Sequence, residues 1–570
     1  MKRHLYKALL LLCTCLTMGV NSGCIDEVHP TSVATPDQLQ SSESLEKMLN
    51  GLPAFVVTWN TYGSSSYEND FGYPGQMYMR EVQGEDFPIL DTYYDYWYYL
   101  ELASELRYMY YYSYFYYYSF IHNANNIISV VDEETASAEA LQCLGSALGY
   151  RALCYLDVAR LFEYKPTGYS IDDEATANGV YGLTVPIVVE KMSSQELKNN
   201  PRMPFQTMYR FILTDLNKAE KYIVGYKAPS RAYIDLAAIY GLQTRLWLEI
   251  ATRMEDAEAR NAILAAEGSD DGYDNLGVNT ADECYAKVSE YAQKAINTHA
   301  GYPMTKSEWT DPTTGFNTVQ PSWILSAMVT TAEQADYNYY WCTFVGSIAS
   351  EPQWAMPRYG GGFRMIGTYL YNQMGDNDWR KQSWLAPDAV GKKVPDGYRT
   401  LLDDEAWSEL PAYANLKFRA ANGAIEDVKS GLIASLPMMR LEEMYFDLFE
   451  AIAHTQGAAA AAARLQSFIQ AERDADYVCS ATTMDEFMQA LMIQRRIEFW
   501  GEGINYFDYK RLKLPVRRSQ SSNFPSGMAL DTRAGYVAPW MNYYIPENEK
   551  DQNLAIILNP NPSGLVQSAY

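Results

Sequence analysis

Apolar residues recur at helical spacing along most of this chain, with short polar breaks between the runs. In YSFIHNANNIISVV, Tyr118, Ile121, Asn125 and Ile128 share one helix face. After the polar break DEETAS, the segment AEALQCLGSALGYRALCYLDVARLF reads as an Ala-rich amphipathic helix over 138–162. Ser41 or Ser42 is placed to cap an earlier helix running to Leu52. Similar patterns predict helices over 204–225, 231–253, 281–298, 437–455, 458–473 and 484–500. Between 300 and 430 the pattern changes: Gly, Pro, Trp and Asn are frequent, and short apolar runs such as Trp323-Ile-Leu-Ser-Ala-Met alternate with loops. The stretch after 500 returns to turns. The expected architecture is mainly α, with a helical region over 41–299, a loop-rich, partly β insertion over 300–430, and a second helical region with a tail over 431–570.

Charge and composition narrow the partners. The 570 residues carry a net charge of −25, and no Lys/Arg run offers nucleic acid a basic face. Tyrosine is heavily used, 48 residues against 19 phenylalanines, which suits surfaces that are half wet. At the N-terminus, Lys2, Arg3 and Lys7 flank an apolar stretch from Ala8 to Val20. It is too short to span a bilayer and has the form of a signal peptide over 1–23. Small residues before Cys24 resemble a bacterial lipobox, with Asn21 where an aliphatic residue is usual, so Cys24 is the expected lipidation site. A flexible tether over 24–40 follows. The other cysteines past this segment, Cys143, Cys154, Cys284, Cys342 and Cys479, are scattered and odd in number, so neither a disulfide framework nor a zinc site is expected.

The familiar signatures of catalysis are missing from the sequence. His29, His122, His299 and His454 stand alone, and no HExxH, GxSxG, Walker loop or GxGxxG occurs. Gly360-Gly361-Gly362 reads as a turn. The acidic loop GSDDGYDN at 268–275 lacks the EF-hand register for calcium. Among 70 carboxylates no pair stands out as a glycosidase acid and nucleophile. No catalytic residue, metal ligand or cofactor is expected.

Several strings in series resemble the SusD/RagB family of outer-membrane glycan-binding lipoproteins. They are EVQGED at 81–86, YSFIHNANNII at 118–128, GYRALCYLDVARL at 149–161, YGLTVPIV at 181–188, PMMRLEEMYFDLFEA at 437–451, RRIEFWGEGINYFDYKRL at 495–512, and YIPENEKDQN at 544–553 followed by NPNP. Asn505 stands where the family usually has an arginine. The resemblance implies a superhelix of four tetratricopeptide-like helix pairs carrying a variable insertion. It also implies a surface lipoprotein without catalytic activity, anchored by lipid in the outer membrane, that hands oligosaccharide or polysaccharide to a SusC-like TonB-dependent transporter. Some members take peptides instead. A surface glycoside hydrolase is the reading from another class. On the residues alone, Arg440, Glu443 and Asp447 form one stripe suited to ion pairs between helices, and Gly501 and Gly503 stop a helix that Arg495 and Glu498 brace.

The tyrosines divide into two kinds. Sugars pack their C–H faces on rings and bond their hydroxyls to polar neighbours, so a neutral glycan site is a ring platform with a polar fringe. Two loop-like clusters fit: Tyr93, Tyr94, Tyr96 and Trp97, with Asp86 upstream, and Tyr337, Tyr339, Tyr340 and Trp341, with Trp354 nearby. The net charge disfavours a polyanionic glycan unless Arg80, Arg358 or Arg364 offsets it locally. In YMYYYSYFYYYSF at 108–120, rings surround the helix and a polar outer face is missing, which predicts burial on most sides with a share left for a partner surface.

Overall fold

A computed structural model of the chain describes residues 41–59, 70–89, 107–335, 343–358 and 362–562. Helix α1 (Ser42–Val56) starts where Ser41 accepts a hydrogen bond from the Ser44 N–H. Helix α2 (Gly72–Glu81) is buried along its whole length. Eight longer helices then pack as successive pairs: α3 (Arg107–Val130) with α4 (Ala138–Phe162), α5 (Phe205–Tyr222) with α6 (Leu236–Met254), α7 (Ala281–His299) with α8 (Leu441–Gln456), and α9 (Ala458–Glu472) with α10 (Met484–Glu498). Each pair also packs on the next, α4 on α5, α6 on α7, and α8 on α9 and α10. The result is a superhelix of tetratricopeptide-like pairs. Capping boxes at Thr280/Glu283 and Thr483/Glu486 fix the starts of α7 and α10. A short helix, α11 (Asn505–Leu512), follows α10.

The third pair is split. Residues 300–440 leave α7 and return to α8, and in this excursion strand β1 (Trp323–Met328) pairs antiparallel with β2 (Ser435–Arg440) just before α8. The helix expected from 437 therefore begins at Leu441. Pro437 disfavours helix in the residue before it, and the apolar run of β2 is buried throughout, so pairing with β1 wins over helical spacing. One apolar core runs from Leu45 in α1 to Leu558 in the tail, and takes in Trp309, Phe316, Trp384 and Phe418 of the excursion. A second lies among α8, α9 and α10 around Phe446, Leu465, Leu491 and Phe499.

The tyrosine-rich helix α3 is mostly core. Tyr110, Tyr112, Tyr114, Tyr116 and Tyr117 are buried, while Phe115 is 43% exposed. Two of the buried phenols have polar partners: Tyr117 donates to Asp157 at 3.1 Å and Tyr110 to the Trp540 carbonyl at 3.0 Å. Phe55 of α1 stacks on Tyr116 at 5.5 Å.

Close helix approach rests on small residues. A Cβ added at Gly149 of α4 would sit 2.6 Å from Ile239 Cδ1 and 2.7 Å from Ile234 Cγ2. Gly149→Ala is therefore expected to destabilise the chain by about 1–3 kcal/mol through overpacking at the α4–α6 crossing. Urea denaturation measures this; an unchanged midpoint would mean that the crossing has slack.

Candidate ligand-binding face

The residues that hold this face come from α2 and from the turn after α10. Tyr78 of α2 is fully buried, with Phe87 at 5.6 Å and Phe344 at 6.3 Å, both edge-on. Its hydroxyl accepts from Arg364 Nε at 2.7 Å. Segment 86–89 lies along 364–367: Ile89 bridges Arg364, the Met365 N–H donates to the Pro88 carbonyl, and the Gly367 N–H donates to the Asp86 carbonyl. Beside Phe344, an apolar hollow of about 40 Å³ is bordered by Val57, Trp59, Phe71, Ala335, Thr343 and Leu436. Trp59, Phe71, Ile89, Ala335, Thr343 and Arg364, which adjoin the segments 60–69, 90–106, 336–342 and 359–361, are thus gathered around one aromatic centre.

Two of those segments carry most of the candidate residues. Tyr93, Tyr94, Tyr96 and Trp97, and Tyr337, Tyr339, Tyr340 and Trp341, lie outside the described residues, as does Cys24. The two described candidates do not present their side chains at the surface. Asp86 is 6% exposed, and its carboxylate takes Arg496 Nε at 2.6 Å and Nη2 at 2.5 Å. Bidentate pairing of this kind is strong and geometrically fixed, so Asp86 ties down the start of its loop. Trp354 is 7% exposed and clusters with Val345, Ala420, Ala421 and Leu432. Of the arginines offered as local cations, Arg80 is turned inward to Gly503 and Tyr117, and Arg364 to Tyr78.

The segment RRIEFWGEG at 495–503 supports this frame. Arg496 holds Asp86 and also Glu85, at 2.7 Å. The Trp500 indole donates to the Asp86 carbonyl at 2.7 Å and stacks on Phe87 at 4.8 Å. Gly503, with φ of +67°, brings its N–H to Glu81 at 2.9 Å and its carbonyl to Arg80 at 2.9 Å. A side chain there would strike the Met77 backbone, so α2 can seat only against glycine.

Beneath the turn the charges are buried and paired. Glu498 takes Arg473 at 2.9 Å, Arg380 at 3.0 Å and Arg440 at 3.2 Å. Burial raises its carboxyl, but the three guanidinium groups together hold it well below the usual carboxylate range. Glu502 takes Lys417 at 2.7 Å and Arg440 at 2.9 Å. Of the expected stripe, Glu443 and Asp447 lie on α8 and pair with Arg245 at 2.6 Å and Arg495 at 2.5 Å, whereas Arg440 ends β2 and is not helical. Arg495 and Glu498 brace the end of α10 through these partners. Elsewhere Arg210 donates to Asp271 and to the Tyr273 carbonyl, both at 2.7 Å, gathering the acidic loop, and His454 stacks on Tyr285 at 3.7 Å.

Residues 408–566 match the model of the SusD family. Over that stretch the chain resembles the SusD family. A SusD-like carbohydrate binding protein from Bacteroides vulgatus superposes with a TM-score of 0.64 at 19% identity, covering 90% of this chain and 97% of its own. A SusD superfamily protein from Bacteroides thetaiotaomicron gives 0.62 at 18%, covering 91% and 100%. Another from Bacteroides fragilis gives 0.60 at 17%, covering 90% and 99%. No curated protein matches the sequence. These SusD-like neighbours share the fold.

Two buried carboxyls give this region a pH signature. Burial pushes Glu81 up to about 7 against the N–H groups of Gly501 and Gly503, and pushes Asp447 up to about 7 against Arg495. Between about pH 4.5 and 7 the folded chain holds the Glu81 proton and the unfolded chain does not. Stability present below that window is therefore lost as pH rises through it, the Glu81 share being on the order of 3 kcal/mol at most. Urea midpoints across this range should fall for the native chain and flatten for Glu81→Gln; equal slopes would show that Glu81 does not titrate there.

Proposed function

We propose that this SusD-like chain is a non-catalytic glycan-binding lipoprotein of the cell surface. It captures an oligosaccharide or polysaccharide and delivers it to a SusC-like TonB-dependent outer-membrane transporter. The observation that carries this reading is the gathering around Tyr78 of residues that adjoin four segments, because two of those segments hold the Tyr/Trp clusters at 93–97 and 337–341. A sugar platform requires rings held on a rigid frame, and the described neighbours of both clusters, Ile89 for one and Ala335 and Thr343 for the other, border this one. The proposed lipid anchor is Cys24, which follows the signal-like N-terminus and leaves a tether before α1. The non-catalytic reading is supported by the buried acids around the frame, since Asp86, Glu498, Glu502 and Asp447 are each committed to a cation. The carbohydrate binding of the Bacteroides vulgatus neighbour favours sugar over peptide as the ligand.

Affinity electrophoresis of residues 25–570 against a panel of polysaccharides tests the reading. Retardation by at least one glycan is expected, and Trp97→Ala or Trp341→Ala should remove it without loss of fold. Release of shorter sugars from the retarding glycan would instead make the chain a hydrolase. Absence of retardation across the panel would favour a peptide ligand.

A further inference from the structure

We infer that an open groove beside α3 is a second carbohydrate site, taking a neutral sugar chain independently of the aromatic loops. The groove has a volume of about 670 Å³, inside the roughly 300–1,000 Å³ range of small-molecule sites. One wall is aromatic: Phe55, Tyr114, Phe115 and Tyr118 line it. Phe115 is 43% exposed on a helix whose other described Phe and Tyr rings are buried or half-buried. Tyr118 is fixed by donation from its hydroxyl to the Pro186 carbonyl at 2.6 Å, and Tyr114 lies 4.6 Å from it, so the wall is set before any ligand arrives.

The fringe is polar and unspent. His122, Asn123 and Gln552 line the same groove, and their side chains hydrogen-bond to no other described residue. Amide and imidazole groups beside rings match the alternating C–H faces and hydroxyls of a sugar. Lys198 and Glu549 are the Lys and Glu of the lining and offset each other, which suits a neutral chain better than a polyanion. A peptide adding as a strand would need a free sheet edge; besides α1, α3, the Ser194–Leu197 turn and the Glu549–Gln552 turn, the non-helical wall is Pro186 and Val188, whose carbonyls already accept from Tyr118 and Tyr155.

Residues 25–570 are tested by affinity electrophoresis in amylopectin, inulin, arabinoxylan and yeast mannan, with the loops already disabled by Trp97→Ala and Trp341→Ala. At least one polymer is expected to go on retarding this variant, roughly tenfold more weakly once Phe115→Ala is added. Phe115→Trp, which keeps a ring, should restore retardation, and circular dichroism checks the fold of each variant. Equal retardation with and without Phe115 would overturn the groove site while leaving the proposed function standing. Loss of all retardation in the loop variant would do the same. No retardation of the native chain by any of the four polymers would overturn the site, as would competition by a casein digest in place of the sugar.

Discussion

Glu498 takes three guanidinium groups, and each comes from a different part of the chain. Arg440 ends β2, Arg473 follows α9, and Arg380 belongs to the excursion that splits the third helix pair. All four side chains are fully buried, so no water offsets a missing partner. Removing one member of such a cluster typically costs about 3–5 kcal/mol, because the remaining charges stay buried without compensation. An apolar replacement of the whole cluster would not carry that cost. The ions therefore add position more than stability: they dictate where the excursion meets the helical scaffold.

That position is passed outward through one short turn. The residues after Glu498 run through Trp500 to Gly503, and they meet Asp86, Phe87, Glu81 and Arg80 in succession. Helix α2 is thereby seated, and Tyr78 on α2 collects Phe87, Phe344 and Arg364. The face expected to meet ligand is thus built on a buried charge cluster. The strongest electrostatics of this scaffold face inward, where they fix position.

Much of the fold is legible in the residues alone, for physical reasons. Helices α4, α7, α9 and α10 have clear amphipathic spacing or caps, and their observed bounds fall within a residue or two of those expected. Helix α11 falls in the stretch after 500 that reads as turns, and two further elements escape. Strand β2 carries an apolar run that helical spacing also fits, and only its partner across the excursion decides between them. Helix α2 is buried on every side and contains Gly72, Pro74 and Gly75, so it shows neither a polar face nor helix-forming composition. The aromatic clusters stand out in the sequence, but the frame beneath them does not. Tyr78, Phe87, Phe344 and Arg364 become neighbours only through the fold, and Asp86, whose setting reads as a polar fringe, is bound to Arg496 from far along the chain.

The central claim is that the last turn of α10, with the residues just after it, holds the base of the proposed ligand face. Hydrogen exchange of Arg496→Met, which keeps the stem and removes the cation, tests it most directly. Exchange should quicken over 86–89 and 364–367 while α5, α6 and α7 keep their protection. Unchanged protection over 86–89 would contradict the claim.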